Sequence, residues 1–265
     1  MNRPNGQPAG LEVLGRMPVL VPDWPAPPAV RAFSTTRQGG VSGDVWQSLN
    51  LSTAVGDDAA AVQANRERVR AATGLAQDPQ WLHQVHGTRT VHLPWAGREL
   101  PDADSAWTDR PGMACAVLAA DCLPVLLCNR AGDRVAAVHA GWRGLAGGVI
   151  ESTVTALGGA EEDLLAWLGP AISAPAFEVG PEVRQAFLAA DPGAAVCFTA
   201  GRGDRWHADL YALARQRLAR VGVHEVWGGH WCTAGAPEWF YSWRRDAAGG
   251  RMASVIWLAP RAEQS

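Results

Sequence analysis

Three residues of this chain have both the chemistry and the placement to act together. His86 precedes Gly87, Cys122 follows Asp121, and His139 precedes Ala140-Gly141, so each stands where an apolar run gives way to a turn. Strand ends are where side chains from distant parts of a sheet converge. Two imidazoles and one thiolate form a natural zinc set with a fourth position left open. Such a site lowers the pKa of bound water to about 7 or acts as a Lewis acid. The same residues also suit a cysteine nucleophile, Cys122, with His139 as its base. Spacing alone leaves both readings open.

Six others among the seven histidines and five cysteines read as structure. His83 and His86 form an H-x-x-H pair, but positions an odd number apart on a strand point to opposite faces. His83 is therefore expected to support the fold rather than to chelate with His86. Cys115 and Cys128 fall inside apolar runs and are expected in the core. Cys197, His92 and His224 have no neighbours that suggest chemistry.

The elements that must position the three residues follow from hydrophobic pattern and punctuation. Trp81–Val85 is predicted as a short strand ending at His86-Gly87. Met113–Ala119 and Leu123–Cys128 are predicted strands flanking Ala120-Asp121-Cys122, and Asn129 to Asp133 is turn chemistry before a third strand, Arg134–Ala140. Gly141-Trp142-Arg143-Gly144 breaks that strand, and Leu145–Leu157 is predicted as a helix. A strand ending in glycines that opens a helix gathers backbone N–H groups. Upstream lie a strand at Met17–Val21 and a helix capped by Asp57-Asp58, running through Ala72 and stopped at Thr73-Gly74. Downstream, helices are predicted at Pro181–Ala190 and His207–Val221. In the second, Leu210, Leu213, Ala214, Leu218 and Val221 share one face. Strands at Val223–Trp231 and Met252–Leu258 complete the pattern. Residues 1–15 read as a flexible tail and 16–260 as one domain, since no low-complexity linker divides the chain after residue 30. The fold class is α/β with mixed α+β character.

Composition narrows the chemistry. The 265 residues are 48% hydrophobic and 18% charged, which excludes a disordered chain. A formal charge of −3 gives no reason to expect nucleic acid or an anionic membrane as partner. All 23 basic residues are arginine, which excludes a lysine Schiff base, a lysine base and a P-loop lysine. Any anionic substrate must be held by arginine, backbone N–H groups or a metal. The odd cysteine count, without a C-x-x-C pair, gives no disulfide framework, so a reducing cytoplasm is the expectation. The N-terminus runs into no apolar segment of a secretory signal. The longest apolar stretch, Met113 to Cys128, is broken by Asp121 and Pro124.

Several separated motifs occur in order. They are Phe33-Ser34-Thr35-Thr36-Arg37-Gln38-Gly39-Gly40-Val41-Ser42, Ser48-Leu49-Asn50-Leu51, Gln84-Val85-His86-Gly87 and Ala103-Asp104-Ser105. Ala119-Ala120-Asp121-Cys122-Leu123-Pro124-Val125 and Val138-His139-Ala140-Gly141-Trp142-Arg143-Gly144 follow, and Phe240 to Asp246 with Gly250-Arg251-Met252-Ala253 closes the series. Together they resemble the YfiH family, whose members have carried the names polyphenol oxidase/laccase domain protein and purine nucleoside phosphorylase. The resemblance implies β-sheets sandwiched by helices and a zinc site made of His86, Cys122 and His139. It implies phosphorolysis of adenosine, inosine, guanosine and 5′-methylthioadenosine, with adenosine deamination as a side activity. In that frame Arg37, Arg143, Asn50 and Gln84 are the candidates for holding nucleoside or phosphate, and Asp121 or Asp104 for carrying a proton. A cytoplasmic monomer is expected. Three other readings stand beside it: a Cys122–His139 hydrolase editing peptidoglycan precursors, a copper polyphenol oxidase, and a non-catalytic nucleotide-binding protein. Seven histidines without an H-x-H pair speak against multicopper chemistry. The chain departs from the family at Gly169 to Gly180, where Ala171, Pro175 and Ala176 stand in place of the family's frequent cysteines.

Overall fold

The computed structural model describes residues 8, 10–159 and 163–260. Its strands in chain order are β1 Leu11–Leu14, β2 Met17–Leu20, β3 Val30–Thr35, β4 Thr90–His92, β5 Ser105–Thr108, β6 Ala114–Ala119 and β7 Leu123–Asn129. They continue as β8 Val135–Ala140, β9 Leu164–Leu168, β10 Glu178–Val179, β11 Phe198–Ala200, β12 Trp206–Ala208, β13 Glu225–Gly228 and β14 Met252–Leu258. The helices are α1 Ala59–Thr73, α2 Trp142–Gly147, α3 Val149–Leu157, α4 Pro181–Ala190, α5 Leu210–Arg220 and α6 Trp243–Asp246.

Strands apolar on both faces demand a covering layer on each side, and the middle of the chain supplies them. β7 turns Val125 and Leu127 toward α2–α5, and Leu126 and Cys128 toward a second sheet. β14 divides likewise: Met252, Ile256 and Leu258 face the inter-sheet core, while Val255 and Trp257 face the layer that holds α1. The result is a helix, sheet, sheet, helices sandwich. One sheet runs β1-β2-β3-β14-β6, the other β13-β9-β7-β8-β5-β4, and a small β10-β12-β11 sheet stands apart. The mixed α/β class and the helix-covered sheets are those the sequence led us to expect.

Element ends follow local chemistry. The Asp58 side chain accepts the Ala61 N–H to start α1, and Gly74 ends it at φ +67, a left-handed conformation suited to glycine. Pro181 opens α4, where its missing N–H costs nothing. Other expectations need correction. Leu11–Leu14, within the span read as tail, pairs antiparallel with β2. The helix expected over Leu145–Leu157 begins at Trp142 and is cut in two by Gly148 at φ +99. His207 belongs to β12, and Asp209 caps α5. The strand expected over Val223–Trp231 is only β13. Trp81–Val85 forms no strand; it runs extended with single bridges from Gln80 to Cys115 and from His83 to Asp102. Among the described residues no helix is long and apolar enough to cross a membrane.

Candidate metal centre and its cavity

The fold draws the three sequence-singled residues together. Cys122 sits in the turn from β6 to β7, His139 near the end of β8 opposite Pro124 of β7, and His86 in the turn after the extended 81–85 segment. Their ligand atoms all lie within 4.8 Å of one another. Cys122 Sγ is 3.9 Å from His86 Nε2, and the two imidazoles meet edge to face at 4.9 Å. Tetrahedral zinc with these donors needs edges of about 3.3–3.6 Å, so small side-chain movements close the set. Gly141 leaves room for it. A Cβ there would stand 3.0 Å from Cys122 Sγ, 3.0 Å from His86 Cδ2 and 3.5 Å from His139 Cε1. Burial would raise the Cys122 thiol, yet the neighbouring imidazoles override it and bring it to about 6. Burial likewise opposes charge on His139, but the Cys122 thiolate and the Asp104 carboxylate raise it to about 9. A thiolate and two imidazoles around a glycine-made space can hold a divalent metal.

Asp104 sets this geometry from behind. Its carboxylate is fully buried. Oδ1 accepts the His86 N–H at 3.0 Å and the His139 Nδ1–H at 2.8 Å. Oδ2 accepts the Gly87 N–H at 2.6 Å and the Val85 N–H at 3.2 Å. A carboxylate only accepts, so Nδ1 carries a proton, and in the neutral ring that a metal requires Nε2 offers the lone pair to the centre. Three successive N–H groups around one anion also hold His86 at φ +59. That region costs a side-chain-bearing residue about 1–3 kcal/mol, which the hydrogen bonds offset. Burial raises Asp104, but the His139 ring and the N–H groups outweigh it and keep the carboxyl below its ordinary value.

Asp104 accepts four hydrogen bonds and does not line the cavity. Asp121 lines the cavity at φ +93, but its carboxylate accepts from Thr233 Oγ1 at 2.5 Å, Ser242 Oγ at 3.0 Å and the Arg244 N–H at 2.7 Å. It fastens the C-terminal segment onto the Cys122 turn. Gln84 also lines the cavity, with both amide atoms paired to the Leu118 backbone at 2.8 and 2.7 Å. Asn50 lies outside it, fully buried, bonded through its side chain to Ser52, Asp57 and the Arg251 N–H. Arg37 spends Nε on Gln47 O and Nη1 on Pro237 O, and Arg143 covers the Trp142 ring at 4.4 Å. Neither arginine lines the cavity.

The cavity over the three ligands has a volume of about 510 Å³. That is the size of a small-molecule site. Trp142, Ile172, Phe177, Leu210 and Trp243 give it an apolar wall, and Arg66, Arg244 and Arg251 give it three cations. Sequence reasoning missed these arginines. Arg244 and Arg251 stand inside the closing motifs, Tyr241 to Asp246 and Gly250 to Ala253, and that was the available signal. Arg66 carries none, because its partner Trp81 is fifteen positions away. His83 lines the cavity beside them, 2.7 Å from Asp102, and is not a member of the ligand set.

The family model described as multi-copper polyphenol oxidoreductase laccase matches residues 31–259. The chain belongs to the YfiH family. Purine nucleoside phosphorylase YfiH of Escherichia coli (strain K12) is 52% identical over 243 residues, which cover 91% of this chain and 98% of that protein. A purine nucleoside phosphorylase of Pseudomonas aeruginosa is 52% identical over 240 residues, covering 90% and 98%. Among YfiH-family structures, that of a Neisseria meningitidis protein superposes with a TM-score of 0.88 at 51% identity, over 91% of this chain and 99% of that one. A YfiH protein of Bacillus licheniformis superposes at 0.86 with 27% identity, over 95% and 100%.

Proposed function

We propose that this YfiH-family chain is a zinc-dependent purine nucleoside phosphorylase. The observation that carries the reading is the His86–Cys122–His139 group, braced by Asp104, opening into a cavity with an apolar wall and three arginines. Relatives 52% identical over nearly their whole length bear the name purine nucleoside phosphorylase. Adenosine, inosine, guanosine and 5′-methylthioadenosine are the substrates, with adenosine deamination as a side activity.

In phosphorolysis the C1′–N9 bond breaks with its electron pair going to the purine. A phosphate oxygen forms the new bond to C1′, and the purine takes up the proton that monohydrogen phosphate gives up. His86, Cys122 and His139 would hold the zinc, which when bound would supply a Lewis acid. Trp142, Phe177 and Trp243 offer faces for the flat base and keep water from the reacting carbon. Asp104 keeps the His139 ring in one tautomer throughout. The protein is proposed to act as a cytoplasmic monomer with nucleoside and phosphate as its partners.

Two further readings are separated by the same material. The family model's description names copper, but multicopper chemistry needs several histidine-rich sites, and among the described residues one three-donor group is found. The depressed Cys122 thiol beside His139 also suits a thiol hydrolase acting on peptidoglycan precursors. Metal quantitation followed by a nucleoside panel, with and without phosphate, tests all three. Zinc near one per chain and purine release dependent on phosphate are expected. No purine released from any nucleoside by zinc-loaded protein would sink phosphorylase action. Turnover that survives chelation but dies on thiol alkylation would favour the hydrolase.

A further inference from the structure

Phosphorolysis requires a doubly charged oxyanion beside the sugar, and this lysine-free chain must hold it another way. We propose that Arg66, Arg244 and Arg251 form an oxyanion clamp in the cavity and that its occupant is inorganic phosphate. The proposal rests on the phosphorylase reading and says which residues bind the second substrate.

All three side chains line the cavity that holds His86, Cys122 and His139. Each is tied to the backbone by part of its guanidinium only. Arg66 donates Nε to Leu51 O at 3.0 Å, and Arg244 donates Nη1 to Glu178 O at 2.6 Å. Arg251 donates Nη1 to Gly249 O at 3.1 Å and Gly250 O at 3.0 Å. Both Nη atoms of Arg66, and Nε and Nη2 of Arg244 and Arg251, have no hydrogen-bond partner among the described residues. Aromatic rings fix the planes: Trp81 lies 4.3 Å from the Arg66 guanidinium, Phe177 5.2 Å from that of Arg244 and Trp243 5.7 Å from that of Arg251. Anchored forks with spare N–H groups are the geometry that matches phosphate oxygens in pairs.

Charge balance points the same way. None of the three makes an ion pair within 4.0 Å among the described residues. The one carboxylate in the cavity wall, Asp121, already accepts three hydrogen bonds. Burial pulls Arg66 and Arg251 below their ordinary values, and the acidic groups that act against it, Asp78 on Arg66 and Cys122 and Asp121 on Arg251, do so without direct pairing. Arg66 and Arg251 are also bound into one wall. The Arg251 N–H donates to Asn50 Oδ1 at 2.9 Å, the Leu51 N–H donates to Arg251 O at 3.3 Å, and Leu51 O receives Arg66. Arg244 lies on a different segment, the one that Asp121 fastens. The Ser48-Leu49-Asn50-Leu51 run thus acts as the base of the clamp rather than as a contact to substrate.

The test is a calorimetric titration of inorganic phosphate into zinc-loaded protein without nucleoside. Wild type is compared with Arg66→Gln, Arg244→Gln and Arg251→Gln, each checked for zinc content and thermal unfolding. Each loss should weaken phosphate binding about ten- to a hundredfold, the weight of a charge-assisted hydrogen bond or two. Lysine at the same position keeps the charge, loses the fork and should recover part of the affinity; it also serves where a glutamine variant fails to fold. Phosphate affinity unchanged in all three glutamine variants would overturn the clamp, even if purine is released from nucleosides. Binding that the variants weaken, with no purine released, would leave the clamp standing and sink phosphorolysis. Adenosine 5′-monophosphate is titrated alongside. If it alone binds and the variants lose it, the arginines read a substrate's own phosphate and the assignment to inorganic phosphate fails.

Discussion

Replacing Asp104 by asparagine preserves the shape of the side chain and removes one acceptor, which makes the cost calculable from the four bonds it receives. In one orientation the amide oxygen stays toward the His86 N–H and His139 Nδ1. The amide NH₂ then confronts the N–H groups of Gly87 and Val85, which carboxylate Oδ2 accepts at 2.6 and 3.2 Å. Two buried donors lose their partner at about 1–3 kcal/mol each, or about 2–6 kcal/mol of stability together. In the other orientation the oxygen serves Gly87 and Val85 and the NH₂ turns to His139. Nδ1 must then accept, so the ring proton moves to Nε2 and the lone pair facing Cys122 and His86 disappears. That orientation also turns the NH₂ on the His86 N–H, at about 1–3 kcal/mol, and costs about ten- to a hundredfold in metal affinity. No rotation of the amide escapes both penalties. Competition with a chromophoric chelator measures zinc affinity, and urea unfolding of the metal-free protein measures stability. An asparagine variant that binds zinc within twofold of wild type and unfolds at the same urea concentration would refute the role given to Asp104.

Three other outcomes can be checked. Gly141 lies at φ −61 and ψ 156, which alanine adopts freely, so Gly141→Ala crowds only Cys122 and His86; zinc affinity should fall at least tenfold with little change in metal-free stability, and equal loss in both would contradict it. The Tyr211 hydroxyl accepts the Ala171 N–H at 2.8 Å and lies 3.1 Å from both Gly169 O and Trp231 O. Tyr211→Phe should therefore cost about 1–3 kcal/mol in chemical unfolding, because a buried backbone N–H loses its partner. Burial pushes the Cys128 thiol up to about 12. An unfolded thiol ionises near pH 8.5, so its contribution is intact below that and is lost as pH rises toward 12, at about 1.4 kcal/mol per pH unit. Cys128→Ala should flatten the alkaline limb of stability by that slope, and an unchanged limb would refute the assignment.

How much could be read beforehand depended on whether a signal was local. Helices α1 and α4 are legible because Asp58, Gly74 and Pro181 act on their own neighbours. β14 and β7 are legible because strands buried on both faces read as unbroken apolar runs. The three candidate ligands could be picked out because each stands within two residues of a glycine or an aspartate at the end of an apolar run. The β10-β12-β11 sheet could not, since strands of two or three residues carry no period. Gly148 divides α2 from α3 through a positive φ that its neighbours do not announce. Long-range pairing misled most. Asp104 and Asp121 look alike as candidate proton carriers, and only the folded chain reveals that backbone N–H groups and hydroxyls occupy both. Arg37 and Arg251 both sit within two residues of a glycine pair, yet the carbonyls of Gln47 and Pro237 claim the first while the second faces the cavity.

The position of β14 bears on how the molecule is made. It is the last strand in chain order, yet it lies inside its sheet, antiparallel to β3 on one side and to β6 on the other. During synthesis β3, complete at residue 35, and β6, complete at residue 119, therefore wait with unpaired N–H and C=O groups until residues 252–258 are made. Arg244 and Arg251 arrive on the segment leading into that strand. Insertion of β14 thus seals the sheet and completes the cavity in a single late event, so a ribosome-stalled or truncated chain would expose sticky edges and lack a finished site.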